Sequence, residues 1–199
     1  MRVTLLDYGM GNLHSLAKAA ATAGTELRIE ADPARALDTD VLLLPGVGAF
    51  APAAERLAPA RADLRDALTR GLPCLGICLG MQLLLESSEE GEGEGIGLIP
   101  GCVRRLRAAR LPQIGWNTLD DSRETDLEAA SLPAVYYANG FVAEPADPTA
   151  VVAWSTHETD RFPAAVRAGR TLGVQFHPEK SSAPGVAFLR GWIAAQAAR

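Results

Sequence analysis

Cysteine is scarce in this chain of 199 residues, where Cys74, Cys78 and Cys102 form an odd, unpaired set. That set argues against a disulfide framework and lacks the spacing of a zinc site. No eighteen apolar residues run together, and the chain opens on a strand-like Arg2-Val3-Thr4-Leu5-Leu6 without a basic leader or a long apolar segment behind one. The expectation is a soluble, cytoplasmic protein with no membrane contact. Positive charge is short as well: a formal net charge of −5 gives no electrostatic footprint for nucleic acid. The local exception, Arg104-Arg105-Leu106-Arg107, has no glycine-rich cradle beside it and reads as a solvated face or partner rim. Gly9-Met10-Gly11-Asn12 lacks the third glycine of a dinucleotide fingerprint, so no cofactor is expected. Cys78, His177 and Glu179 would lack a fourth ligand as a metal site, and no metal is expected either.

At 48% hydrophobic, the chain can bury a full core and is most simply one α/β domain over residues 1–199. Val3-Thr4-Leu5-Leu6-Asp7, Glu26-Leu27-Arg28-Ile29 and the wholly apolar Val41-Leu42-Leu43-Leu44 read as strands. An alanine-rich helix is expected from the Gly9–Asn12 turn through about Ala23, ending at Gly24. Leu57, Leu64 and Leu68, at helical spacing, place a helix on the sheet before the Gly71 stop. Alternating strands and helices imply a parallel sheet. From Val103 through Val152 the strand-like pieces are shorter and look antiparallel, with a closing helix near 185–198. The run from Glu89 to Gly95 is too acidic and glycine-rich to pack, and reads as a mobile surface loop.

Two segments carry chemistry. Gly76-Ile77-Cys78-Leu79-Gly80 follows an apolar lead-in and precedes Met81-Gln82-Leu83-Leu84-Leu85-Glu86 of helical character, the pattern of a strand-turn-helix elbow that exposes a nucleophile. The Leu79 amide and the helix N-terminus are expected to favour a thiolate and a developing oxyanion. A cysteine on such a turn can equally be buried and inert. What shifts the reading is Gln175-Phe176-His177-Pro178-Glu179-Lys180-Ser181, where a strand ends in a stiff His-Pro-Glu. Two residues apart in an extended segment, His177 and Glu179 are expected to project on one side, with the carboxylate holding one ring nitrogen while the other reaches the sulfur.

These residues resemble the class I, or triad, glutamine amidotransferases, with Cys78, His177 and Glu179 on the three hallmark positions. More narrowly, Asp7-Tyr8-Gly9-Met10-Gly11-Asn12-Leu13, Pro45-Gly46-Val47-Gly48-Ala49-Phe50, the elbow with Gln82, Gly115-Trp116-Asn117 and the His-Pro-Glu-Lys-Ser block are collinear with the glutaminase subunits of imidazole glycerol phosphate synthase. The resemblance implies a flavodoxin-like α/β fold whose mostly parallel central sheet is flanked by helices and carries an antiparallel extension. It implies hydrolysis of glutamine through a thioester on Cys78, with His177 as base and acid and Glu179 fixing its tautomer. Leu79 and the Val47–Gly48 strand would form the oxyanion hole; Gly46, Gln82, Asn139, Gly140 and Phe141 would bind glutamine. The Val47 peptide would reorient, although its flanking glycines can equally serve only to turn the chain. Two segments depart from the usual pattern: Gln113 before Ile114-Gly115-Trp116, and Ala138-Asn139-Gly140-Phe141 after Tyr136-Tyr137. The implied partner is a (β/α)₈-barrel cyclase in an obligate heterodimer, with Asn12, Trp116, Asn117 and Lys180 at the interface; Trp116 suits a core equally well. Two competing readings are a glutaminase serving another synthase, such as the anthranilate or aminodeoxychorismate enzymes, and a non-catalytic or redox-sensing scaffold. The Pro-Gly-Val-Gly-Ala-Phe wording disfavours the first, and the presence of His177 and Glu179 disfavours the second.

Overall fold

Strands β1 (Arg2–Leu6), β2 (Glu26–Glu30), β3 (Val41–Leu44), β4 (Cys74–Ile77) and β12 (Thr171–Val174) build the parallel part of a seven-stranded sheet, in a computed structural model that describes residues 1–9, 13–22 and 24–197. The sheet order is β10-β11-β12-β4-β3-β1-β2, with β10 (Val151–His157) and β11 (Asp160–Ala168) added antiparallel beyond β12. Every residue of β3, β4 and β12 is buried. Alternation explains how: Val41 and Leu43 face one core cluster, with Leu16 and Trp192, whereas Leu42 and Leu44 face another, with Leu57, Leu64 and Leu68. Helices α1 (Leu13–Ala20) and α7 (Ser182–Ala197) cover the first face, and α3 (Phe50–Leu57) and α4 (Arg61–Thr69) the second. A short α2 (Pro33–Ala36) is capped by Asp32, and a short α6 (Thr125–Ala129) by Glu124.

The smaller sheets are β5-β6-β9, from β5 (Ser87–Ser88), β6 (Gly101–Arg105) and β9 (Phe141–Pro145), and the antiparallel pair of β7 (Gln113–Asn117) and β8 (Val135–Asn139). Helix α1 stops at Ala20, short of the expected end. Leu57, Leu64 and Leu68 are all buried as expected but belong to two helices, because Pro59 sits in the 3₁₀ turn Ala58–Ala60 between them. No helix among the described residues is long and apolar enough to cross a membrane.

Arg104 is not on a solvated face. Its side chain is 6% exposed and grips Asp160 with two hydrogen bonds of 2.7 and 2.9 Å, while Glu144 takes a third at 3.0 Å. Burial pushes the Asp160 carboxyl up, but Arg104 and the Arg107 amide outweigh it and hold it below the usual carboxylate range. Its contribution to stability is therefore present above the unfolded carboxyl pKa and is lost as pH falls through the lower folded value. Arg104→Met is expected to cost about 3–5 kcal/mol, because it strands a buried carboxylate, and Asp160→Leu added to it should recover part of the loss. Urea midpoints at neutral pH measure this; a change under about 1 kcal/mol would show that the pair contributes nothing net.

Candidate active site

Cys78 directly follows β4 and enters the next turn in a backbone conformation of φ 48° and ψ −104°, which L side chains rarely adopt. The turn is held on both sides: its amide donates to the Val174 carbonyl at 2.7 Å, and its carbonyl accepts from the Gln82 amide at 3.0 Å. Close approach dictates the flanking glycines. A β-carbon on Gly76 would lie 2.7 Å from the Gly80 carbonyl oxygen, and one on Gly80 would lie 2.2 Å from that of Leu44. The expected helix after the elbow is a single turn, α5 (Leu79–Gln82). Leu83, Leu84 and Leu85 are each 0% exposed, and three successive residues of a helix cannot all face one cluster, so the chain turns instead. A single turn supplies no long helix dipole, and Leu79 lines the cavity beside the sulfur.

His177 is buried, and its backbone is pinned by the Tyr136 carbonyl at 2.8 Å and the Ser181 hydroxyl at 2.7 Å. Its Nδ1 lies 2.8 Å from Glu179 Oε1, which leaves Nε2 as the ring nitrogen for the sulfur, and Cys78 is near enough to be one of the groups that raise the ring's pKa. The contact with Glu179 is not made along an extended strand: Pro178–Lys180 is a 3₁₀ turn, entered from an extended His177. Pro178 favours this, because its fixed φ suits the first helical position and its missing N–H costs nothing there. The turn folds the carboxylate back onto the ring. Burial disfavours the imidazolium, yet the hydrogen bonds and charges of Cys78 and Glu179 outweigh it and raise the pKa from 6.5 to about 9.

A raised histidine pKa stabilises the fold fully below about pH 6.5, and that contribution is lost as pH rises through about 9. Glu179→Gln removes one of the groups raising it. The expected outcome is a kcat/KM lower by about 10²- to 10⁴-fold and an alkaline limb of the rate profile displaced to lower pH. Stability measured at pH 6 and pH 10 should also differ less than in the parent. An alkaline limb that stays in place would refute the assigned role of Glu179.

Beside the sulfur lies a cavity of about 250 Å³. Gly46, Val47 and Gly48 line it, together with Leu79 and Gln82 of α5 and with Asn139, Gly140 and Phe141. Gly46 is required by proximity, since a β-carbon there would stand 2.5 Å from the Ile77 carbonyl oxygen. The Tyr8 hydroxyl donates to the Pro45 carbonyl and anchors the start of that segment. Gln82 Nε2 donates to the Phe141 carbonyl at 3.0 Å and to Gln175 Oε1 at 3.2 Å. Asn139 Nδ2 donates to the same Phe141 carbonyl at 3.1 Å.

Two residues at the site escape sequence reasoning. Glu90 lines the cavity, with Oε2 accepting from the Phe50 amide at 2.9 Å, and its loop is anchored rather than free. Glu89 accepts from the Arg105 amide at 2.8 Å, and the backbone of Gly91 and Gly93 approaches Ala51 and Ala54 closely. In this run the glycines permit packing, which composition alone reads as disorder. The second is Gln175, fully buried with Nε2 at 3.4 Å from Cys78 Sγ.

Among the residues expected at an interface, Trp116 is 55% exposed rather than in the core, and it packs edge-on against Tyr136 with ring centroids 6.0 Å apart. The Lys180 ammonium lies 6.0 Å from the same tyrosine ring. Asn117 is occupied within its own chain, donating to the Thr156 carbonyl at 2.9 Å and accepting from the Thr118 amide. Asn12 lies outside the described residues.

Residues 4–193 match the family Glutamine amidotransferase class-I. The imidazole glycerol phosphate synthase subunit HisH of Acaryochloris marina is 40% identical over 200 residues, covering 96% of this chain and 93% of that one. The chain is a class I glutamine amidotransferase of the HisH family. The HisH subunit of Halobacterium salinarum is 42% identical over 201 residues, with 96% and 92% covered. A crystal structure of a glutamine amidotransferase superposes with a TM-score of 0.70 at 20% identity, covering 95% of this chain and 98% of that one, and shares the fold. In this HisH chain the expected α/β architecture holds, including the mostly parallel sheet with antiparallel additions.

Proposed function

We propose that this chain is the single-domain, cytoplasmic glutaminase subunit of an imidazole glycerol phosphate synthase, hydrolysing glutamine to glutamate and ammonia through a thioester on Cys78. The observation that carries the reading is the row Cys78–His177–Glu179, with the cysteine on the wall of a small cavity and held on a strained elbow. His177 takes the thiol proton, and the sulfur adds to the side-chain carbonyl of glutamine. The oxyanion so formed is stabilised by backbone amides of Leu79 and the Val47–Gly48 segment that follows β3, and removing one such donor costs about 3 kcal/mol of barrier. His177 then gives its proton to the departing nitrogen, releasing ammonia and leaving the acyl group on sulfur. Water, deprotonated by the now neutral His177, attacks the thioester carbonyl, and glutamate leaves as the thiol is restored. The Glu90 carboxylate suits the α-ammonium end of glutamine, with Asn139, Gly140 and Phe141 beside it. Because the Nε2 of Gln82 is spent on Phe141 and Gln175, only its oxygen end is left for substrate.

Ammonia released into water would be protonated and diluted, so a dedicated acceptor fits this chemistry. The relatives are named as synthase subunits, and the acceptor proposed is a (β/α)₈-barrel cyclase in an obligate heterodimer. The exposed Trp116, with Tyr136 and Lys180, is the surface proposed to meet it. The test is glutamine hydrolysis by the chain alone, with the cyclase and its nucleotide substrate, and with an unrelated synthase. Stimulation by the cyclase alone is expected, reduced by Trp116→Ala. Hydrolysis equally fast without any partner would overturn the coupling.

A further inference from the structure

Gln175 is placed by the chain as firmly as the histidine two residues beyond it. Its amide donates to the Ala164 carbonyl at 2.8 Å, which continues the pairing of β12 with β11. Its side chain is 0% exposed, with Nε2 at 3.4 Å from Cys78 Sγ and Oε1 accepting from Gln82 Nε2 at 3.2 Å. The row ends on the Phe141 carbonyl, 3.0 Å from Gln82 Nε2. A backbone carbonyl can only accept, so this end is unambiguous. With the Gln82 NH₂ group on that oxygen, Gln175 must turn its own oxygen toward Gln82, and its NH₂ group is left on the sulfur. The reverse orientation would set donor against donor at Gln82 and carbonyl lone pairs against a thiolate. A buried carboxamide is also costlier than a methionine of similar size unless its hydrogen bonds are made, so packing alone does not account for it.

We propose that Gln175 is a further catalytic residue, whose carboxamide donates to the Cys78 sulfur and, held by Gln82 and the Phe141 carbonyl, favours and aims the thiolate. The proposal rests on Cys78 being the nucleophile. Its test reads the sulfur without glutamine, so the two can fail separately. The rate of Cys78 alkylation by iodoacetamide is followed against pH, with peptide mapping to separate it from Cys74 and Cys102. Gln175→Met keeps the volume and loses the donor. The pH of half-maximal alkylation should rise by about one unit and the rate at pH 7 fall about tenfold, as expected for a hydrogen bond to a charged group. In the assembled enzyme kcat should fall by a similar factor with KM little changed. Gln175→Glu should reduce alkylation further, because it sets a carboxylate against the sulfur. Gln82→Met leaves Gln175 in place but releases its tether, and should show a smaller shift in the same direction; it carries the test if the Gln175 variants do not fold. Unchanged alkylation profiles in Gln175→Met and Gln82→Met would overturn the proposal, since a purely structural role alters thermal stability and not the profile.

Discussion

Replacing Cys78 with alanine is expected to lower glutamine hydrolysis by about five orders of magnitude or more, as for removal of the nucleophile from other triads, while leaving the fold intact. The residue is 6% exposed and loses only its sulfur, and the elbow's backbone bonds to Val174 and Gln82 do not involve the side chain. Alanine keeps the same β-carbon at φ 48°, so the local strain neither rises nor disappears. Thermal midpoints of parent and variant should therefore agree within a few degrees. Steady-state release of ammonia in the presence of the partner subunit measures the first part, and a thermal scan the second. Hydrolysis that survives the substitution would rule out the thioester route. It would favour the scaffold or sensor reading, in which the cysteine has no acyl-transfer role.

A comparable loss, of stability rather than chemistry, is expected for Gly80→Ala. The new methyl group would stand 2.2 Å from the Leu44 carbonyl oxygen and 2.7 Å from its carbon. Neither side can give: Leu44 ends a strand paired with β1 and β4, and Gly80 is in the first turn after the elbow. The expected cost is at least about 3 kcal/mol, which for a chain of this size lowers the thermal midpoint by roughly 6–12 °C. Gly191→Ala is the contrast. In the middle of α7, with nothing within 4 Å of the added carbon, it should stabilise by about 0.5–1 kcal/mol. Equal midpoints for the two variants would show that the elbow does not depend on this close approach.

Much of this architecture was legible in the residues because it depends on local periodicity. Val41–Leu44 announces a strand buried on both faces by being wholly apolar, and the glycines around Cys78 announce an elbow by being small. The same reasoning misjudges features that depend on distant partners. Arg104 looks solvated until Asp160, on another strand, is set against it. The run from Glu89 to Gly95 looks loose until α3 is placed under it. His177 and Glu179 do meet, although through a 3₁₀ turn rather than along a strand, because Pro178 starts that turn as readily as it stiffens an extended segment.

The amino-acid order by itself determined the alternation of strands and helices, the elbow and the His177–Glu179 pair, since spacing and side-chain size within a few residues decide these. Only the tertiary structure decided that Gln175 and Glu90 lie at the site, that the Gln82 NH₂ group is taken up by Phe141 and Gln175, and that Trp116 stands in solvent. Those outcomes are set by which side chains from separate elements reach the same few ångströms, where burial makes each donor find an acceptor.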